Sequence, residues 1–264
     1  MNERVKYEVK NNVAYVTLTR ADKYNALDHT MFKGLVGAAK KASKDKSLRA
    51  VIISGEGKAF CSGLDFPSFT KQPAKVLTSF FKIPGPKTNL FQEVAWCWRN
   101  VPIPVISVIH GFCYGGGVQI ALGCDFRFIT PDCEFSILEA KWGMIPDMSG
   151  TVTLRELIPI DQAKLLTMTG RVIKGTDAFT MHLVTGVSDN PMKMAEELVE
   201  ELKLRSPDSV SATKRLFHKN WASSIREAFS NERMIQLGIL IGKNRKIAMN
   251  ANFKKEKPDF LPRK

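Results

Sequence analysis

Glu139 closes an apolar run, Phe135-Ser136-Ile137-Leu138, and is followed by Ala140-Lys141-Trp142-Gly143. A carboxylate at such a place is unremarkable on a surface. Tucked into a pocket it loses solvation, its pKa rises, and it becomes a better general base. Upstream, His110-Gly111-Phe112-Cys113-Tyr114-Gly115-Gly116-Gly117 stands between a strand and a helix. Three consecutive glycines let the backbone approach a ligand and present bare N–H groups, which suits a phosphate, a carboxylate or a developing oxyanion. Tight strand-to-helix packing explains a lone glycine triplet equally well. The run matches neither GxGxxG nor a P-loop, so nucleotide-dependent hydride transfer and NTP hydrolysis lose their main support. Lys58-Ala59-Phe60-Cys61-Ser62-Gly63-Leu64-Asp65 also follows a buried strand. Backbone donors from two strand ends, aimed at one oxygen, make an oxyanion hole.

Other reactive residue types read as structural. The histidines His29, His110, His182 and His218 have no metal-ligand spacing, and none of Cys61, Cys97, Cys113, Cys124 and Cys133 forms a CxxC pair. Free thiols predict a reducing compartment, the cytoplasm. Asp65 reads as a cap and Asp125 as a structural hydrogen-bonding residue.

These residues need strand ends and helix starts to hold them. A hairpin is expected from residues 4–9 and the run Val13-Ala14-Tyr15-Val16-Thr17-Leu18-Thr19. Asp28 can cap a helix over 29–44, with Met31, Phe32, Leu35, Val36 and Ala39 on one face. Residues 49–54 read as a fully buried strand of the parallel-sheet kind. Pro67, Pro73, Pro84 and Pro86 cut up residues 65–90, which read as a mobile loop or lid. A helix over 88–99, a strand over 104–111, a helix from about Val118 and strands over 126–130 and 134–137 follow. From Pro191 onward helices are expected at 192–204, 207–219 and 222–249. The fold class is α/β, with an α/β core over 1–200 and a helical region over 201–264.

Three segments in this order, AFCSGLD, HGFCYGGGVQIALGCDFRF and FSILEAKWGMIPDMSGT, resemble the crotonase superfamily, the enoyl-CoA hydratases and isomerases. TRADKYNAL at residues 19–27 is similar to the family's RPxxxNAL, with Ala21 where proline is common. The resemblance covers essentially the whole chain. It implies a crotonase-like spiral of ββα units with a C-terminal helical region.

It also implies that the N–H groups of Leu64 and Gly116 hold the thioester oxygen of an acyl-CoA as its enolate forms. Asn25, Ala26, Ser62 and Gly63 would lie along the pantetheine and nucleotide, with Gly115 beside Gly116. Tyr114 and Ile137 would line the acyl pocket. Coenzyme A enters as part of the substrate, with no further cofactor and no metal. Hydratases of the family carry two glutamates; here the first position is Gln119 and the second is Glu139. An amide cannot accept and return a proton at neutral pH. One carboxylate is the pattern of enoyl-CoA double-bond isomerases, with Glu139 as base and then acid. Asp147 matches an aspartate that dienoyl-CoA isomerases use as a second acid/base group, although those enzymes also carry a carboxylate where Gln119 stands. A capping or turn role after Pro146 is its alternative. A hydratase working with Gln119, and a non-catalytic acyl-CoA- or RNA-binding homologue, stay open.

The chain has 264 residues, enough for a sizeable core, and 39 Lys and Arg against 26 Asp and Glu give a net charge of +13. With 44% hydrophobic and 25% charged residues, disordered, collagen-like and small disulfide-scaffold classes are excluded. Such a basic chain favours anionic partners. Coenzyme A, with its phosphates, is one, and Lys58 and the C-terminal lysines are candidates to meet it. Nucleic acid is less favoured: Lys40, Lys41, Lys44 and Lys46 make a basic face, but no RNP-type aromatics interleave with it. The N-terminal MNERVKYEVKNN lacks the apolar region of a signal peptide. The apolar stretch 101–123 is too interrupted for a membrane span. The family resemblance implies a homotrimer or a dimer of trimers, and 234–242 (MIQLGILIG) could serve that interface.

Overall fold

The structure is a computed structural model and describes residues 3–71, 73–81 and 87–264. Along the chain run β1 (Val5–Lys10), β2 (Val13–Leu18), α1 (His29–Lys44), β3 (Ala50–Gly55), α2 (Phe66–Thr70), α3 (Pro73–Phe80), α4 (Leu90–Asn100), β4 (Val105–Ile109), β5 (Phe112–Tyr114) and α5 (Gly116–Leu122). There follow β6 (Phe126–Ile129), β7 (Glu134–Ser136), a 3-10 turn (Leu138–Trp142), α6 (Gly150–Leu154), α7 (Ile160–Thr169), β8 (Ile173–Lys174), α8 (Gly175–Thr180) and β9 (Gly186–Val187). The chain ends in α9 (Pro191–Lys203), α10 (Pro207–Asn220), α11 (Ile225–Leu240) and α12 (Lys243–Lys254).

Two sheets stack. The larger has the order β1-β2-β3-β4-β6-β9, and the smaller β5-β7-β8. β1 and β2 form the expected antiparallel hairpin, with Asn11 and Asn12 both at positive φ as a tight hairpin turn requires. The remaining strands of the large sheet pair in parallel. β3 shows why its sequence is apolar throughout. Val51 and Ile53 enter the main core, whereas Ala50 and Ile52 enter a second core closed by Ala195 and Val199 of α9. Asp28 caps α1 by accepting from the Met31 N–H at 2.7 Å, and the expected apolar face of α1 is buried.

Three expectations need correction. Residues 66–70 and 73–80 are not a loop: they form α2 and α3, and Pro67 and Pro73 lie in first turns, where a missing N–H leaves no bond unmade. Pro84 and Pro86 lie outside the described residues. The single helix expected over 222–249 is two, because Gly242 turns to extended backbone between α11 and α12. The expected boundary at 200/201 falls inside α9, which packs on the large sheet.

The C-terminal helices are anchored to the core by buried cations. Lys214 Nζ donates to the carbonyls of Trp98 and Ile103, each at 3.0 Å, and pairs with Asp125 at 2.6 Å. Asp125 also accepts from the Val105 N–H at 2.8 Å, the structural role expected of it. The Arg263 N–H donates to Lys46 O at 3.0 Å, tying the chain's end to the segment after α1. Among the described residues no helix is long and apolar enough to cross a membrane.

Candidate active site

The site follows from strand register. Cys61 bridges to Cys113, and Cys113 pairs with Phe135 where β5 runs parallel to β7. Leu64 and Gly116 each lie three residues beyond their position in that row, and Glu139 lies four beyond its own. Three segments leaving the small sheet side by side therefore bring the two expected donors and the expected carboxylate together.

The Leu64 donor is held by a buried brace. The N–H groups of Ser62 and Leu27 donate to Tyr24 O and Gly63 O at 3.0 and 2.8 Å, and that of Asp65 donates to Leu27 O at 3.0 Å. Asn25 is wholly buried; it accepts from the Arg20 N–H and donates to Glu56 O and Ala59 O, all at 2.9 Å. Its side chain is thus spent on the loop, its backbone N–H donates to Arg20 O at 2.8 Å and its carbonyl accepts from Cys61 Sγ at 3.2 Å, so it braces the loop and leaves no surface for a ligand. Arg20 pairs with Asp65 at 2.7 Å, and Asp65 caps α2 by accepting from Ser68 N.

Gly63 has φ +91°, and a Cβ there would stand 3.1 Å from Tyr114 O and 3.7 Å from Gly116 N. Gly115, at φ +50°, donates its N–H to Ser136 O at 2.9 Å, and its bare α-carbon faces Glu139. A side chain at either position would strain the backbone and crowd the space between donors and carboxylate. Among the described residues the N–H groups of Leu64 and Gly116 have no hydrogen-bond partner. For Gly116 the reason is plain: it opens α5, where first-turn N–H groups have no partner within the helix.

Glu139 is buried in the 3-10 turn after β7. Its Oε1 accepts from Gln119 Nε2 at 2.5 Å, while its Oε2 is buried with no partner among the described residues. Loss of solvation pushes its carboxyl above the ordinary range, and the charge of Asp147 adds to the rise. Asp147 is half-buried, and burial raises its carboxyl as well. The two carboxyls singled out from sequence are thus near enough that the charge of Asp147 acts on Glu139.

Two cavities lie along this segment, with Leu64 lining one and Asp65 the other. The apolar one, about 720 Å³, is walled by Leu64, Phe66, Phe69, Phe80, Phe91 and Ile145, with Asp147 on its wall. The polar one, about 560 Å³, is lined by Arg20, Lys23, Tyr24, Ala26, Asp65 and Lys71. Ala26 is where a bound nucleotide or pantetheine was expected, and Ser62 donates to Lys23 O beside it at 3.4 Å. Tyr114 and Ile137 are not among the residues lining the apolar cavity. Tyr114 stacks on Phe112 and donates its phenol to Glu134, and Ile137 is buried in the main core. Sequence reasoning missed the aromatic wall; its one signal was Phe66 and Phe69, three residues apart. All five cysteines are free and buried, and burial pushes the Cys61 thiol up to about 12, so they act as packing residues.

Paired free N–H groups beside a buried, poorly solvated carboxylate define a site that can stabilise an oxyanion and move a proton. The sequence model described as enoyl-CoA hydratase/isomerase matches residues 8–263. The (E)-benzylidenesuccinyl-CoA hydratase of Thauera aromatica is 30% identical over 214 residues, 80% of this chain and 80% of that protein. The mitochondrial Delta(3,5)-Delta(2,4)-dienoyl-CoA isomerase of Mus musculus is 30% identical over 223 residues, 78% of this chain and 65% of that protein. In fold, the crystal structure of an enoyl-CoA hydratase from Bacillus anthracis superposes with a TM-score of 0.89 at 23% identity, covering 97% of this chain and 98% of that one. The chain belongs to the enoyl-CoA hydratase/isomerase family, and its fold is the crotonase fold.

Proposed function

We propose that the protein is an enoyl-CoA double-bond isomerase. The observation that carries this reading is the composition of the buried centre: the carboxylate Glu139 faces the amide Gln119, which cannot accept and return a proton at neutral pH. Leu64 N–H and Gly116 N–H hold the thioester oxygen, and the acyl chain enters the apolar cavity. Glu139 Oε2 removes a proton from the carbon next to the thioester, and charge moves onto the held oxygen. Two preorganised donors stabilise that charge as it develops, about 3 kcal/mol each. The protonated Glu139 then returns the proton two carbons along. Atoms balance without water or an oxidant, and the double bond has moved.

Asp147 supports an extension to conjugated dienoyl thioesters. It sits on the wall of the chain cavity, and burial favours its protonated form, so it can deliver a proton to a more distant carbon. In this reading coenzyme A is part of the substrate, its phosphates drawn to the polar cavity by Lys23 and Lys71. Self-association as a trimer or pair of trimers belongs to the same reading. α11 buries no residue in its own chain and leaves Ile225, Phe229, Met234 and Leu237 exposed. Sedimentation at three or six times the chain mass supports it, and a monomer at micromolar concentration contradicts it.

The discriminating experiment follows 2-enoyl, 3-enoyl and dienoyl-CoA thioesters for both bond migration and water addition. Migration should dominate. Water addition to crotonyl-CoA at a comparable rate would favour the hydratase alternative.

A further inference from the structure

We propose that Gln119 is a positioning residue that makes the two oxygens of Glu139 inequivalent and locks Glu139 against the Asp147 loop, leaving Oε2 as the oxygen that exchanges the proton. The inference rests on the reading of Glu139 as the proton-transfer group.

Gln119 is buried, 1% exposed, on α5. Its Oε1 accepts two backbone N–H groups, from Met148 at 2.9 Å and from Gly150 at 3.0 Å. Its Nε2 donates to Glu139 Oε1 at 2.5 Å. These bonds fix which end of the amide faces where. A flipped amide would set its NH₂ against two N–H donors and its carbonyl against a carboxylate. Each buried group left unpaired would cost about 1–3 kcal/mol, so the flip is shut out.

Three consequences follow. Both acceptor sites of Gln119 are filled, so its carbonyl has none left with which to orient a water for attack. Because Oε1 of Glu139 is bonded and Oε2 is buried without a partner among the described residues, a substrate proton finds its free acceptor at Oε2. Finally, Gln119 binds the backbone of Met148, directly after Asp147, and of Gly150. One side chain therefore sets the separation of both carboxyl groups. Gly150 is part of this clip, since a Cβ there would stand 2.7 Å from Gln119 Oε1. The bond from Gln119 also favours the ionised form of Glu139, opposing desolvation, so its loss must raise that carboxyl further.

The test uses the full chain as wild type, Gln119→Met and Gln119→Glu. Gln119→Met removes donor and acceptor together. Gln119→Glu keeps an acceptor for Met148 and Gly150, so the loop stays closed, and serves if the Met variant does not fold. The readout is the infrared band of the protonated Glu139 carboxyl as a function of pH, assigned by its loss in Glu139→Gln; it needs no substrate. Either variant should move the midpoint up by a pH unit or more, with the acid limb of kcat/KM moving alongside. An unmoved midpoint in a variant with native circular dichroism would overturn the proposal, because a merely structural Gln119 would lower stability without shifting the titration. A shifted midpoint in a protein that isomerises no thioester would keep Gln119 as the residue that tunes Glu139 and reject the isomerase reading instead.

Discussion

Gly63 passes so close to Gly116 that a Cβ on the first would stand 3.7 Å from the backbone nitrogen of the second. Two segments joined side by side at the Cys61–Cys113 bridge thus present their N–H groups to one space. The arrangement depends on a backbone with φ +91° and no side chain. Gly63→Ala should therefore strain the turn, push on Tyr114 O and pull the Leu64 donor away. A drop in kcat of about 10²-fold is expected, the scale of losing one oxyanion donor. Steady-state kinetics on a 3-enoyl-CoA, with acyl-CoA binding measured by calorimetry, checks this. Unchanged kcat would place the thioester oxygen elsewhere.

Burial holds the carboxyls of Glu139 and Asp147 above their ordinary values. The folded protein then binds these protons more tightly than the unfolded chain does. Their contribution to stability is complete below the unfolded values, about 4, and is lost as pH rises through the folded ones. Glu139→Gln should accordingly melt at a higher temperature than wild type near pH 7, with the gap narrowing toward pH 4. Thermal melts across that range are the check. A variant less stable than wild type at neutral pH would contradict the burial argument.

The aromatic wall of the apolar cavity implies a preference for longer acyl chains. Each further CH₂ buried is worth about 0.8 kcal/mol, roughly fourfold in kcat/KM, until the cavity is filled. Phe69→Ala should weaken that dependence while sparing four-carbon substrates. A chain-length series on wild type and variant decides it, and a flat series would remove α2 and α3 from the substrate path.

Much of this was readable before any coordinates. Asp28 and the Met31–Ala39 stripe announce α1 because cap and period are local properties. Leu64, Gly116 and Glu139 follow strand ends, which is legible locally, while their expected roles as donors and carboxylate come from the family resemblance. The aromatic wall was hidden because α2 and α3 are short and turn Phe66, Phe69 and Phe80 toward a cavity. Their prolines, which look like breaks, mark helix starts. Tyr114 and Ile137 show the converse: they sit next to the right motifs, yet their side chains belong to a strand surface and a core. The clip made by Gln119 was beyond sequence reasoning, since its partners lie 20, 29 and 31 residues away and two of them are backbone groups.

In the proposed reaction Glu139 carries the proton. Glu139→Gln should keep the acyl-CoA affinity of wild type, measured by calorimetry, while bond migration in a 3-enoyl-CoA falls by about 10³-fold or more. Turnover retained in that variant at a tenth of the wild-type rate or better would put the proton on another group, whatever the variant's affinity for the thioester.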